Sequence, residues 1–281
     1  VLSSRAMRID FTKMHGLGND FIIFDAPQGR LPDADRWRSL SHRHKGIGFD
    51  QALVLEPPRD KNTAVFYRVF NADGGEVEQC GNGARCVATL VSRRLARGPG
   101  EIAMDSPGGV VRARVLKDGW VSIDMGVPNF DPAALPFDAS SESYVYPLQV
   151  AGTEVEIGAV SIGNPHAVLK VAAVASAPVD RLGPAIENHP RFARRTNVEF
   201  MEVVAPDHIR LRVFERGTGE TLACGTGACG AVAVGRRHGL LGEKVNVDLP
   251  GGRLIIEWAG AGQHIWLTGP TETSFAGSFE I

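Results

Sequence analysis

Apolar residues along this chain fall in short runs or strict alternation, the signature of strands. Phe21-Ile22-Ile23-Phe24, Ala52-Leu53-Val54-Leu55 and Val65-Phe66-Tyr67-Arg68-Val69-Phe70 are three such runs in the first half. Val110 to Leu116, then Asp118-Gly119, then Trp120-Val121-Ser122-Ile123-Asp124, predicts a hairpin on a glycine turn. The second half repeats this with Arg253 to Trp258, a Gly-rich turn, and His264 to Leu267. Helical spacing is clear in two places. Val87, Ala88, Leu90, Val91 and Leu95 form one apolar face, stopped by Gly98-Pro99. Ala231, Val232 and Val234 form the other, ended by Arg236-Arg237-His238-Gly239, cations followed by a terminating glycine. The pattern predicts an α+β protein, mainly sheet, with one principal helix in each half; it leaves strand order open.

The two halves also repeat each other in sequence. Arg68-Val69-Phe70 recurs as Arg212-Val213-Phe214, Gly75-Glu76 as Gly219-Glu220, and Cys80-Gly81-Asn82-Gly83-Ala84 as Cys224-Gly225-Thr226-Gly227-Ala228, all at one offset of 144 residues. Gly18-Asn19 answers to Gly163-Asn164, and Pro107-Gly108-Gly109 to Pro250-Gly251-Gly252, with slips of one residue. Two copies are too few for a solenoid, so the duplication predicts two similar domains of ordinary size. The expected division is 7–126 for the first and 127–270 for the second, with Pro128, Pro132 and Pro136 punctuating the start of the latter.

Composition adds mostly exclusions. The chain is 43% hydrophobic and 22% charged with a net charge of −2, which gives no electrostatic case for nucleic acid or an anionic membrane. No run approaches the roughly 20 apolar residues of a membrane span. Val1-Leu2-Ser3-Ser4-Arg5-Ala6 lacks the apolar core of a signal peptide and reads as an expression remnant ahead of a start at Met7. The expectation is a cytoplasmic protein with a small-molecule substrate, no nucleic-acid partner and no membrane. Four cysteines are too few for a disulfide scaffold, and their spacings do not match zinc knuckles. No metal site is expected.

Two of the cysteines carry the chemistry. Cys80 and Cys224 each precede a Gly-x-Gly segment where strand or loop hands over to helix. Backbone N–H groups are unpaired there and the helix dipole is positive, so a thiol should ionise more readily and an anion should bind. Cys86 and Cys229 lie within apolar helix faces and carry no expected role. A single Cys-Gly-x-Gly-x is a weak signal. Two in duplicated domains suggest sulfurs working on opposite faces of one ligand carbon, as inversion of a stereocentre requires. A redox or disulfide pair stays open as an alternative.

The motifs His15-Gly16-Leu17-Gly18-Asn19-Asp20-Phe21, Gly46-Ile47-Gly48-Phe49-Asp50-Gln51, Asn71-Ala72-Asp73-Gly74, Cys80 to Cys86, Gly163-Asn164-Pro165-His166, Glu215-Arg216-Gly217 and Ala223 to Ala228 together resemble the diaminopimelate epimerase family. The resemblance runs from about Met7 to the C-terminus in the family's order. It implies a fold of two pseudo-symmetric domains, each a β-structure wrapped around a central helix, with 271–281 completing the first domain. It implies epimerisation of LL-2,6-diaminopimelate to the meso form, for lysine and peptidoglycan precursor synthesis, without a cofactor, and a homodimer.

By matching motif, the resemblance makes Cys80 and Cys224 the acid/base pair. It places Asn19, Gln51, Asn71, Gly81, Asn82, Asn164, Asn197, Glu215, Arg216, Gly225 and Thr226 on the substrate, with His166 and Glu215 tuning the thiols. Asn197 rests on the least specific motif, Thr196-Asn197-Val198-Glu199-Phe200. The alternatives are a proline racemase-like enzyme, which needs only one polar end in its site, and a thiol redox or amino-acid-binding protein.

Overall fold

The computed structural model describes residues 7–26, 30–77 and 80–280. The expected remnant at Val1–Ala6 and the final residue of the expected 271–281 segment, Ile281, lie outside the described residues. The chain divides into two compact units: one holds the residues up to Ile123 together with those from Gly269 onward, and the other is Asp124–Thr268.

In the first unit the chain forms β1 (Arg8–Gly16), β2 (Asn19–Asp25), α1 (Ala34–Ser41), β3 (Gln51–Glu56), β4 (Phe66–Asn71), β5 (Glu76–Val77), α2 (Gly81–Arg94), β6 (Gly100–Ser106), β7 (Gly109–Val115) and β8 (Val121–Asp124). The second unit follows with β9 (Tyr146–Val150), β10 (Thr153–Ser161), β11 (Pro165–Lys170), α3 (Val179–Glu187), β12 (Asn197–Ala205), β13 (His208–Glu215), β14 (Gly219–Thr221), α4 (Gly225–Arg237), β15 (Lys244–Leu249), β16 (Gly252–Trp258) and β17 (Ile265–Gly269). The last strand, β18 (Glu272–Glu280), belongs to the first unit.

The pairing pattern is the same in each unit. In the first, β18, β1 and β2 are antiparallel neighbours, β2 runs parallel to β3, and β3 antiparallel to β4. Strand β4 takes the stub β5 antiparallel and β6 parallel, and β6, β7 and β8 close antiparallel. In the second, β9, β10 and β11 are antiparallel, β11 is parallel to β12, and β12 antiparallel to β13. Strand β13 takes β14 antiparallel and β15 parallel, and β15, β16 and β17 close antiparallel. Strand β18 therefore fills in the first unit the place that β9 fills in the second.

Each unit keeps its second helix at the centre. In α2 every residue from Asn82 to Ser92 is buried, and in α4 Gly225 and every residue from Gly227 to Gly235 are buried. A helix buried all round cannot be strongly amphipathic, and small residues let the sheet approach it. Gly158 of β10 shows how close: a Cβ there would sit 2.3 Å from Val234 Cγ1.

Two further helices were not expected from the sequence. Helix α1 spans only eight residues, capped by Asp33, whose side chain accepts from the Arg36 N–H at 2.8 Å. It lays Trp37 and Leu40 on an aromatic cluster that includes Phe24, Phe49 and Phe70. Helix α3 buries Val179, Leu182 and Ile186 among Phe137, Leu148, Val198 and Phe200. Neither segment is assigned by the sequence pattern, because a two-turn helix shows too little periodicity to separate from a strand or turn. Among the described residues, no helix is long and apolar enough to cross a membrane. Nor do any three His, Cys, Asp or Glu side chains among them converge as a metal site would require.

Candidate active site

Tight turns open the cysteine-bearing region of each unit. Leu17 and Gly18, both left-handed at φ 58° and 87°, join β1 to β2 and deliver Asn19; Gly163, at φ 84°, delivers Asn164. Left-handed backbone is where glycine costs least, which accounts for the Gly-Asn pair in each copy.

In the first unit Cys80 is the N-cap of α2, with extended backbone. Its sulfur accepts from the Gly83 N–H at 3.4 Å, and its thiol donates to Asn19 Oδ1 at 3.7 Å. The Asn82 amide also donates to Asn19 Oδ1, at 3.2 Å. Gln51 donates to Asn71 Oδ1 at 2.9 Å across the β3–β4 pair. As in any helix, the first N–H groups, Gly81 and Asn82, have no carbonyl four residues back to take.

Asn19 is held from behind by a charged cluster. Its Nδ2 and the Asp20 N–H both donate to Asp50 Oδ2, at 3.0 and 3.1 Å. Arg43 donates to both oxygens of Asp20 and to Asp50. Lys13, nearly buried, reaches Asp20 at 2.6 Å and the Gly48 carbonyl. Burial alone would raise the Asp20 carboxyl, but hydrogen bonds and charge from Arg43 and Lys13 hold it well below the usual carboxylate range.

In the second unit Cys224 is the N-cap of α4 and is 5% exposed. Its sulfur accepts from the Gly227 N–H at 3.4 Å and lies 3.5 Å from Thr226 Oγ1. Asn164 Nδ2 donates to Thr226 Oγ1 at 3.4 Å, and Asn164 Oδ1 is 2.9 Å from His166 Nε2. His166 Nδ1 is 2.6 Å from Glu199 Oε1, and both side chains are fully buried.

One expectation is corrected here. Position at a helix start predicts a thiol that ionises readily, yet burial first and the Glu215 carboxylate next push the Cys224 thiol well above its ordinary value. The Thr226 hydroxyl and the Gly227 N–H oppose this but lose, because desolvation of a fully buried thiolate outweighs two hydrogen bonds. The folded protein therefore favours the Cys224 thiol over its thiolate. Burial likewise pushes the Cys86 thiol up, to about 12.

The Glu215-Arg216-Gly217 turn is also braced. Asn197 donates to the Pro165 carbonyl at 3.0 Å and accepts from the Arg216 N–H at 2.9 Å, so most of its amide is committed to shaping this turn. Glu187 accepts from the Gly217 N–H at 2.7 Å and from Arg195. Glu215 bonds the Thr221 hydroxyl, while the exposed Arg216 donates to the Arg194 carbonyl at 3.1 Å.

The fold thus gathers Cys80, Asn19 and Asn82 in one unit, and Cys224, Thr226, Asn164 and His166 in the other. Sequence reasoning assigned no role to Asp20, Asp50, Glu187 or Glu199. Glu199 carried the one available signal: an acid inside Asn197-Val198-Glu199-Phe200-Met201, a run buried on both faces.

Two copies of one β-cage, each closed around a helix capped by a cysteine, define a duplicated thiol-bearing fold. The family profile described as Diaminopimelate epimerase matches residues 11–130 and 158–273. The protein named Diaminopimelate epimerase from Thioalkalivibrio sulfidiphilus is 56% identical over 98% of this chain and all of its own length. Its namesake from Alkalilimnicola ehrlichii is 51% identical at the same coverage. The chain belongs to the diaminopimelate epimerase family. Among solved structures, the fold is shared with a hydroxyproline epimerase from Agrobacterium vitis (TM-score 0.69, 16% identity, 98% of this chain and 93% of that one). A phenazine biosynthesis protein of the PhzF family from Bacillus anthracis is similar to the same degree (TM-score 0.69, 15% identity, 98% and 100%).

Proposed function

We propose that this chain is an isomerase that converts LL-2,6-diaminopimelate to meso-diaminopimelate with Cys80 and Cys224 as its two acid/base groups. The observation that carries this reading is the matched placement of the two sulfurs. Each caps a buried helix at its first turn, beside a Gly-Asn turn whose asparagine reaches the capping segment.

In the reaction so drawn, a Cys80 thiolate takes the α-proton from one face: the Cα–H bond breaks and an S–H bond forms. The electron pair left on carbon spreads into the adjacent carboxylate. First-turn amides of Gly81-Asn82 and Gly225-Thr226 receive that carboxylate, stabilising charge where it develops. Cys224, held protonated by its surroundings, delivers its proton to the opposite face, completing inversion. The reverse direction exchanges the roles. General acid–base catalysis by positioned groups supplies about 10²–10⁴-fold; fixed dipoles supply much of the remainder.

Asn19, Gln51, Asn71, Asn82, Asn164, Asn197 and Glu215 order the substrate's polar groups directly or through the turn they brace. Arg216 suits the distal carboxylate through a two-pronged contact. An extended substrate with charge at each end fits this set better than a ring imino acid does. The family resemblance also supports a cytoplasmic homodimer serving lysine and peptidoglycan precursor synthesis.

Incubation with LL-diaminopimelate in D₂O under reducing conditions tests the reading. Deuterium should enter at the α-carbon while optical rotation changes; absence of both removes it. Turnover of a dithiol reductant without such exchange would favour a redox protein instead.

A further inference from the structure

Within its core the second unit carries a polar pair where the first unit carries an apolar one. Strand register fixes the correspondence. In the first unit Phe21 pairs with Gln51, and Leu53 lies opposite Val69. In the second, His166 pairs with Asn197, and Glu199 lies opposite Val213. His166 thus stands where the first unit has Phe21, and Glu199 where it has Leu53. Space under the helix start agrees: a Cβ on Gly83 would meet Leu53 Cδ2 at 3.0 Å, and one on Gly227 would meet Glu199 Oε1 at 2.8 Å.

An apolar pair is therefore sufficient to build this cage. Replacing it by a fully buried carboxyl and imidazole carries a desolvation cost, and burial raises the Glu199 carboxyl above its ordinary range despite the neighbouring His166. Glu199 Oε2 accepts no hydrogen bond. The helix makes room as well: at Gly230 a Cβ would lie 3.2 Å from His166 Cβ. Packing does not explain such a pair, but a line of hydrogen bonds does. Asn164 donates through Nδ2 to Thr226, so its Oδ1 must accept from His166 Nε2–H. With Nε2 protonated, the 2.6 Å Glu199–His166 contact contains one proton, on Oε1 or on Nδ1, and the pair is neutral either way. Thr226, having accepted from Asn164, keeps its own O–H for the Cys224 sulfur.

We propose that Glu199 is a positioning residue: by occupying His166 Nδ1 it holds the imidazole in its Nε2–H form, which fixes the direction of the line His166 to Asn164 to Thr226 to Cys224. Glu199 bonds His166 Nδ1, whereas the Cys224 sulfur is met by Thr226 and the Gly227 N–H. Glu199 sets the orientation of the hydroxyl beside the Cys224 sulfur. The activity readout of this inference rests on the epimerase reading above; its spectroscopic readout does not.

The test compares Glu199→Leu, which installs the first unit's own residue, with Glu199→Gln, whose amide N–H can still occupy Nδ1. Glu199→Leu should lower kcat by about 10²-fold, the scale of an ångström misplacement at a reacting centre, with KM changed far less. Glu199→Gln should recover most of that loss, and His166→Phe/Glu199→Leu should be no worse than Glu199→Leu, because the two side chains act as a unit. In ¹⁵N-histidine-labelled protein, with His166 assigned by its loss in His166→Phe, Nε2 should carry the proton in native and Glu199→Gln protein and share it with Nδ1 in Glu199→Leu. Native kcat in Glu199→Leu, equal damage in Glu199→Gln, or an unprotonated Nε2 in the native protein overturns the proposal. Should the spectra follow expectation while the native protein leaves diaminopimelate unchanged, the functional reading fails and the positioning role stands.

Discussion

Asn19 donates through Nδ2 to Asp50 Oδ2 at 3.0 Å, and this bond leaves its carbonyl oxygen to face Cys80 and Asn82. An amide's two ends differ only in donor and acceptor character, so a side chain free to turn would present the wrong end half the time. Asp50 removes that freedom. In Asp50→Ala the Asn19 amide loses its bias, at a cost of about 1 kcal/mol for the hydrogen bond. That corresponds to a fall in kcat/KM of roughly fivefold, at unchanged helix content. Rates of α-deuterium exchange check it.

Behind Asp50, the Asp20–Lys13–Arg43 cluster should govern acid stability. The folded protein holds the Asp20 carboxyl well below the ordinary value near 3.9, so the unfolded chain takes up the proton first. The sign follows: the contribution is complete above about pH 5 and is lost as pH falls toward the folded-state value. Asp20→Asn should lose about 3 kcal/mol at neutral pH, because Lys13 is left buried without its counter-charge. Urea unfolding from pH 2 to 7 should show a shallower acid slope for the variant than for the native protein.

The opposite sign applies at Cys224. Its thiol is raised by burial and by Glu215, so the folded state favours the protonated form, fully below the ordinary thiol value near 8.5 and progressively less above it. Iodoacetamide should therefore modify Cys224 more slowly in native than in urea-unfolded protein between about pH 7 and 9. Glu215→Gln removes one of the raising influences and should shift the onset of native alkylation to lower pH. Peptide mass spectrometry after timed quenching reads both.

Cys86 is the internal control for the two helix-cap cysteines. It is fully buried in α2 with its thiol pushed up to about 12. Cys86→Ala should cost about 1–2 kcal/mol through the small cavity it leaves, with turnover preserved. Cys80→Ala and Cys224→Ala should each abolish epimerisation with little change in Tm.

Much of this was legible in the sequence because duplication makes context visible. The matched Cys-Gly-x-Gly segments located both helix caps, short apolar runs located β2, β3 and β4, and a glycine turn marked the β7–β8 hairpin. What failed to show was anything defined by contact across strands. Glu199 sits in β12, five of whose first residues are buried, so alternation cannot mark it as inward-facing. The bracing of Asn19 by Asp50, 31 residues away, depends on the parallel β2–β3 pairing, which no local pattern reveals. The Cys224 thiol shows a further limit: a helix start argues for easy ionisation, but depth of burial decides the sign, and burial is a property of the folded chain.

The proposal that two separate sulfurs serve one carbon is tested by isotope partition in the first turnovers. Starting from protiated LL-diaminopimelate in D₂O, a donor sulfur already exchanged with solvent should place deuterium at the inverted centre of every new meso molecule, while unreacted substrate stays protiated. Meso product that retains the substrate's own α-proton would show a single group carrying it from one face to the other, and would contradict the two-cysteine scheme.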